Sequence, residues 1–220
     1  MLRLLLCGII LLLTACTSDP AIDLVQLEGK ARGGDQVAIA QFVDLLGSED
    51  VDIADRSYTV LVEVGTPATP ALLAMINSAD RQQREYVIAA LGTLKVTEAV
   101  SAISKVLADP AIERRYVAAW ALGEIGEVQA IPALIEVLGD DNSEVRRYAT
   151  RALIKYHKLS VLPLVEYLTD ATGEGAAGAI RALGDIADPK ALEVLLLHAD
   201  GAQRAEAFLA LGELRDPPDE

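Results

Sequence analysis

Few side chains in this sequence have the chemistry to coordinate, attack or oxidise. There are two histidines, His157 and His198, and two cysteines, Cys7 and Cys16. Neither histidine has a ligating partner three or four residues away, the spacing that sets two metal ligands on one helix face. The acidic run "DDNSE" at 140–144 lacks the glycine and the distal glutamate of a calcium loop. It reads as a turn with a helix cap. The expectation is therefore no transition metal, no cofactor and no thiol chemistry beyond position 16.

Charge narrows the partners further. The formal net charge is −14. Nucleic-acid binding rests on phosphate neutralisation by clustered Lys and Arg, so nucleic acid is not expected. Adsorption to anionic lipid headgroups is disfavoured for the same reason.

The first residues are a separate object. "MLRLLLCGIILLLTAC" carries one positive charge, Arg3, and then an apolar run from Leu4 to Leu13. That run is too short to span a bilayer and has the length of a signal-peptide core. It ends in Leu13-Thr14-Ala15-Cys16, which resembles the lipobox of bacterial lipoproteins. The resemblance implies a signal peptide at 1–15, acylation of Cys16 by palmitate-type chains, and a short tether at 16–21. Cys7 would leave with the signal peptide. Residue 17 is Thr, not the Asp that resembles an inner-membrane retention signal. The implied location is the cell envelope, at the outer membrane facing the periplasm, with lipid as the only membrane anchor.

The rest of the chain is a repeat. Leu61, Leu91, Leu122, Leu153, Leu183 and Leu211 follow one another at spacings of 30, 31, 31, 30 and 28. A small or branched residue precedes each (Val60, Ala90, Ala121, Ala152, Ala182, Ala210), and Gly92, Gly123, Gly184 and Gly212 follow four of the six. Each unit reads as two helices. "ERRYVAAWALGEI" has helical apolar spacing, and its small column lets helices approach closely. In "QAIPALIEVL", Ile131, Leu134, Ile135 and Leu138 share one face, and Pro132 fits only a first turn. Asp80, Asp109, Asp141, Asp170 and Asp200 stand between units as helix N-caps, Asp109-Pro110 being the clearest case. A helix pair of this size buries its apolar face only by stacking on its neighbours. The predicted fold is all-α, an α-solenoid of two-helix repeats over 48–214. A degenerate helical cap is expected at 22–47, broken by Gly33-Gly34, and a tail at 215–220.

"EVRRYATRALIKY" and "RRYVAAWALGEIGEVQAIPALIEVL" resemble HEAT-like repeats of the short type found in phycobilisome lyases. The resemblance speaks for fold and not for function, because the same units occur in scaffolds, lyases and a hydroxylase. The hydroxylase binds iron through His-Glu pairs near helix starts. The matching positions here are Arg84-Glu85, Arg115-Tyr116 and Arg146-Arg147, so that activity does not carry over.

Several residues are candidates for contact. The column of Arg84, Arg115, Arg146 and Arg204 is either an anion ladder or a set of ties to the neighbouring repeat. Tyr116 and Trp120 lie one helical turn apart on a first helix, as an exposed aromatic contact or as filling between helices. Tyr86 and Tyr148 share one register and Tyr58 another, so no aligned aromatic ladder is expected. In such solenoids second helices line the inner surface; Ala74, Lys105, Glu136, Glu166 and Leu197 face away from the core there, with Tyr167 beside them. Phe208 and Leu209 lie on the last first helix, whose apolar face folds back or meets another chain. The reading is a non-enzymatic scaffold for an unknown protein partner. The alternative is a lyase- or isomerase-like enzyme acting on a tetrapyrrole or other ligand in the inner groove.

Overall fold

The computed structural model describes residues 23–191, with 194–196, 207 and 210. Cys16, His198, Phe208 and Leu209 lie outside the described residues, as do the signal segment, the tail and the rest of the last repeat. Eleven α-helices occur among the described residues, and no strand does. Helices α1 (Leu24–Arg32) and α2 (Gln36–Leu45) come first. First helices α3 (Val51–Val64), α5 (Arg81–Thr93), α7 (Tyr116–Ile125), α9 (Ser143–Lys155) and α11 (Gly173–Ile186) then alternate with second helices. These are α4 (Thr69–Ala74), α6 (Val100–Ala108), α8 (Ile131–Glu136) and α10 (Lys158–Leu168). The fold is an α-solenoid of stacked helix pairs.

The Leu column is the spine of the core. Leu61, Leu91, Leu122, Leu153 and Leu183 are all 0% exposed. The residues flanking it set how near the first helices come. A Cβ added to Gly92 would stand 2.8 Å from the Ala121 Cβ, one on Gly123 2.8 Å from that of Ala152, and one on Gly184 2.6 Å from that of Ala210. The Gly of each unit thus receives the Ala of the next, and the first helices touch backbone to backbone. Val62 and Ile154 replace glycine in this column on α3 and α9.

Each first helix ends in the same way. The residue four after each spine Leu has positive φ: Gly65 (73°), Lys95 (53°), Gly126 (78°), His157 (49°) and Ala187 (55°). The chain turns back here, and most second helices open with a 3-10 turn. That turn buries one alanine completely: Ala68, Ala99, Ala130 and Ala191 are 0% exposed. Pro132 sits in the first turn of α8, where its missing N–H costs nothing.

Some caps differ from the sequence reading. Asp23, Asp35, Asp50 and Asp80 cap α1, α2, α3 and α5 through their carboxylates. Asp109 does not cap a first helix. Its carboxylate accepts from the Ala111 N–H at 2.9 Å and forms a local turn, and α7 starts later, at Tyr116. A short Asp side chain satisfies whichever N–H lies two residues on, so Asp-Pro marks a turn as readily as a helix start. At α9 the cap is Asn142, which accepts from Glu144 N–H at 2.9 Å, rather than Asp141. At α11 the cap position is Thr172 rather than Asp170, with no side-chain cap bond.

Candidate first-helix groove

Arg84, Arg115 and Arg146 of the arginine column hold the turns between repeats, and Arg204 lies outside the described residues. Arg115 and Asp140 pair at 2.7 Å with side chains 10% and 11% exposed. The Asp140 carboxylate also accepts from the Asn142 N–H at 2.8 Å. Arg146 donates to the Asp140 carbonyl at 2.7 Å, and Arg84 to the Ser78 carbonyl at 2.8 Å. These guanidiniums hold inter-repeat turns and are not free to form an anion ladder.

The tyrosines meet across repeats in two pairs. Tyr58 and Tyr86 have ring centroids 6.0 Å apart, and Tyr116 stacks on Tyr148 at 5.2 Å and 24°. Registers one or two residues apart are bridged by the length of the phenol ring. Each pair is pinned further. Tyr58 shares a hydrogen bond of 2.8 Å with Thr93, and the Tyr86 hydroxyl donates to the Asp55 carboxylate. That bond to an anion pushes the Tyr86 hydroxyl up to about 12. Arg114 donates to the Tyr116 hydroxyl and lies over its ring, and Arg147 lies over Tyr148 at 5.2 Å.

Above the Gly123–Ala152 contact the first helices part into a groove of about 450 Å³, lined by Trp120, Tyr148, Arg151, Ile154 and Lys155. Its floor is formed by Gly123 and Ala152, where the absence of a side chain brings the two helices together. Trp120 does both things considered for it. Its ring edge covers Gly92 of the preceding repeat, 3.2 Å from where a Cβ would stand, and its half-exposed face lines the groove. Tyr116 fills space between α7 and α9. The equivalent cleft one repeat earlier, between α5 and α7, is about 320 Å³ and lined by Gln82, Glu85, Tyr86, Ala89, Arg114 and Val117.

The other candidates fall elsewhere. Lys105, Glu136 and Glu166 are exposed on successive second helices α6, α8 and α10. Tyr167 is half-buried and packs its hydroxyl at Gly175, where a Cβ would come within 2.3 Å of it; burial raises its ionisation above the usual tyrosine range. His157 is exposed at the start of α10. Among the described residues no three His, Cys, Asp or Glu side chains group as metal ligands, and no helix is long and apolar enough to cross a membrane.

The sequence reading missed Tyr148, Arg151 and Lys155 as groove residues. The signal lay two residues before the spine Leu, in Thr59, Ala89, Trp120, Arg151 and Arg181. That column changes chemistry at each step while the spine stays constant.

The HEAT repeat family matches residues 69–154. No curated protein matches the chain. A chain of the CpcE–CpcF complex of phycocyanin lyase from a Nostoc species is 22% identical, with a TM-score of 0.48, over 93% of this chain and 85% of that one. Human deoxyhypusine hydroxylase is 17% identical, with a TM-score of 0.43, over 87% of this chain and 98% of that one. A designed armadillo repeat protein is 19% identical, with a TM-score of 0.47, over 87% of this chain and all of its own 100%. At these identities the likeness concerns fold alone. The protein is an all-α solenoid of HEAT-like two-helix repeats.

Proposed function

We propose that this protein is a binding scaffold of the bacterial cell envelope, held at a membrane by lipid on Cys16, with its protein partner received at the α7–α9 groove. The groove carries the binding half of this reading. Trp, Tyr and Arg dominate interface hot spots, and Trp120, Tyr148 and Arg151 converge there around about 450 Å³. The anchoring half rests on Leu13-Thr14-Ala15-Cys16 after the apolar run. The acyl chains of a lipoprotein cysteine add about 0.8 kcal/mol per buried methylene, enough for stable attachment once two or more chains are present. The absence of Asp at position 17 supports the outer membrane as the destination.

Two measurements test the reading. Cys16→Ser should leave the protein unprocessed and released from membranes by a high-salt wash; a variant still processed and still membrane-bound would remove lipid as the anchor. A photoreactive residue placed at position 155, at the groove edge, should give one discrete protein adduct in cells, and the same residue at position 105 none. Equal adducts from both positions, or none from 155, would move the binding surface away from the groove.

A further inference from the structure

The groove has a charge of its own. Helix α9 carries Arg146, Arg147, Arg151 and Lys155 against one carboxylate, Glu144, in a chain whose net charge is −14. Most of these cations are engaged. Arg146 holds the Asp140 and Asp141 carbonyls and lies 3.5 Å from Glu174. Arg147 pairs with Glu144 at 2.5 Å, and Lys155 pairs with Glu124 across the α7–α9 joint. Arg151 is exposed and makes no hydrogen bond or ion pair among the described residues; the same holds for Arg181 on α11.

These two guanidiniums occupy the same register, two residues before Leu153 and Leu183. Arg151 stands at the edge of the aromatic groove. Arg181 borders the next cleft, about 210 Å³ between α9 and α11, with Ser143, Thr150 and Gly178. Packed helices lie about 8–10 Å apart. An extended peptide advances about 3.3 Å per residue, so about three residues carry it from one repeat to the next. A free guanidinium presents a planar fork of donors that matches a carboxylate.

We infer that the groove, read above as the protein-binding site, takes an extended acidic peptide segment of the partner. One large apolar side chain lies between Trp120, Tyr148 and Ile154. Two carboxylates spaced about three residues apart meet Arg151 and then Arg181. Glu124, Glu144 and Glu174 engage Lys155, Arg147 and Arg146, so Arg151 and Arg181 are the cations of the two clefts left for an acidic segment, too few to hold a continuous polyphosphate chain.

Trp120 is the only tryptophan of the chain, so its fluorescence reports the groove directly. The full-length protein in detergent is titrated with a fluorescein-labelled 12-residue Gly/Ser peptide bearing one Phe and two Glu spaced three apart. The expected result is saturable anisotropy accompanied by a change in Trp120 emission. Binding should weaken at least tenfold when the Phe is replaced by Ala, when both Glu are replaced by Lys, and in the R151E/R181E variant. Both arginines are exposed and unpaired, so that variant should keep its circular dichroism; R151Q/R181Q provides a second, milder reading. Equal binding of the Lys peptide, full competition by a 12-nucleotide single-stranded DNA, or an unchanged affinity of R151E/R181E would overturn the inference. If the cellular adduct at position 155 forms and the partner is lost with Trp120→Ala but retained by R151E/R181E, the groove stands as the site and its acidic selectivity falls.

Discussion

Gly123 and Ala152 meet so closely that a Cβ on the glycine would stand 2.8 Å from the alanine Cβ and 3.0 Å from its Cα. Ala is the better helix former by about 1 kcal/mol, yet Gly123→Ala should destabilise the protein, because forcing a methyl into this contact costs about 1–3 kcal/mol and pushes two helices apart. The same change disturbs the groove floor. Urea denaturation should show a lower midpoint, and Trp120 emission should shift; a midpoint that rises would mean that the first helices are not in backbone contact.

The Arg115–Asp140 pair predicts an asymmetry. Asp140→Ala leaves a buried guanidinium without its counter-charge and should cost about 3–5 kcal/mol. Replacing both, as Arg115→Met with Asp140→Leu, should recover much of that loss, since no charge is then stranded. Equilibrium unfolding of the two variants checks the order; a double variant as unstable as the single one would refute it.

Tyr156 joins two repeats by donating to the carbonyls of Leu122 at 2.8 Å and Glu127 at 3.0 Å. Tyr156→Phe should cost about 1 kcal/mol at neutral pH, as for one intramolecular hydrogen bond. Burial pushes the Tyr156 hydroxyl up to about 12 from an ordinary 10.0. Both folded and unfolded states keep the proton below pH 10, so the stabilisation is complete there. As pH rises past 10 the unfolded chain ionises first, and the contribution is lost on the way to 12. Tyr86 has the same sign, from its bond to Asp55. Stability should therefore fall more gently between pH 10 and 12 in Tyr156→Phe, as read from urea midpoints.

His157 sits at φ 49° and ψ −129°. A non-glycine residue held in such a region costs about 1–3 kcal/mol. His157→Gly should raise the melting temperature, partly offset by the greater freedom of glycine in the unfolded chain. A lowered melting temperature would show that the imidazole contributes more than its backbone strain removes.

The spine was legible because it is written at constant spacing, and Leu122 or Ala121 has the same neighbours in every unit. The positive-φ column was hidden in the same alignment. Gly65 and Gly126 announce it, but Lys95, His157 and Ala187 adopt the conformation without the residue that signals it. Asp109 was misread because a carboxylate two residues before an N–H forms a turn or a cap with equal ease. The groove was half legible. Trp120 stood out by type, but Arg151 belongs to it only through the crossing of α7 and α9, which no single repeat encodes.

Ile154 stands where Gly92, Gly123 and Gly184 stand in their repeats, and Val62 does so on α3. The backbone contacts recur at α5–α7, at α7–α9 and between α11 and Ala210, but α9 carries a branched side chain at this position instead of a bare backbone. Mechanically, the array is a stack of couplings of unequal stiffness. Glycine joints transmit load between main chains, while the joints after α3 and α9 transmit it through side chains. Pulled along its axis, it should yield first at one of these side-chain joints, between α3 and α5 or between α9 and α11. The second of these joints separates Arg151 from Arg181, so its yielding would part the two cations.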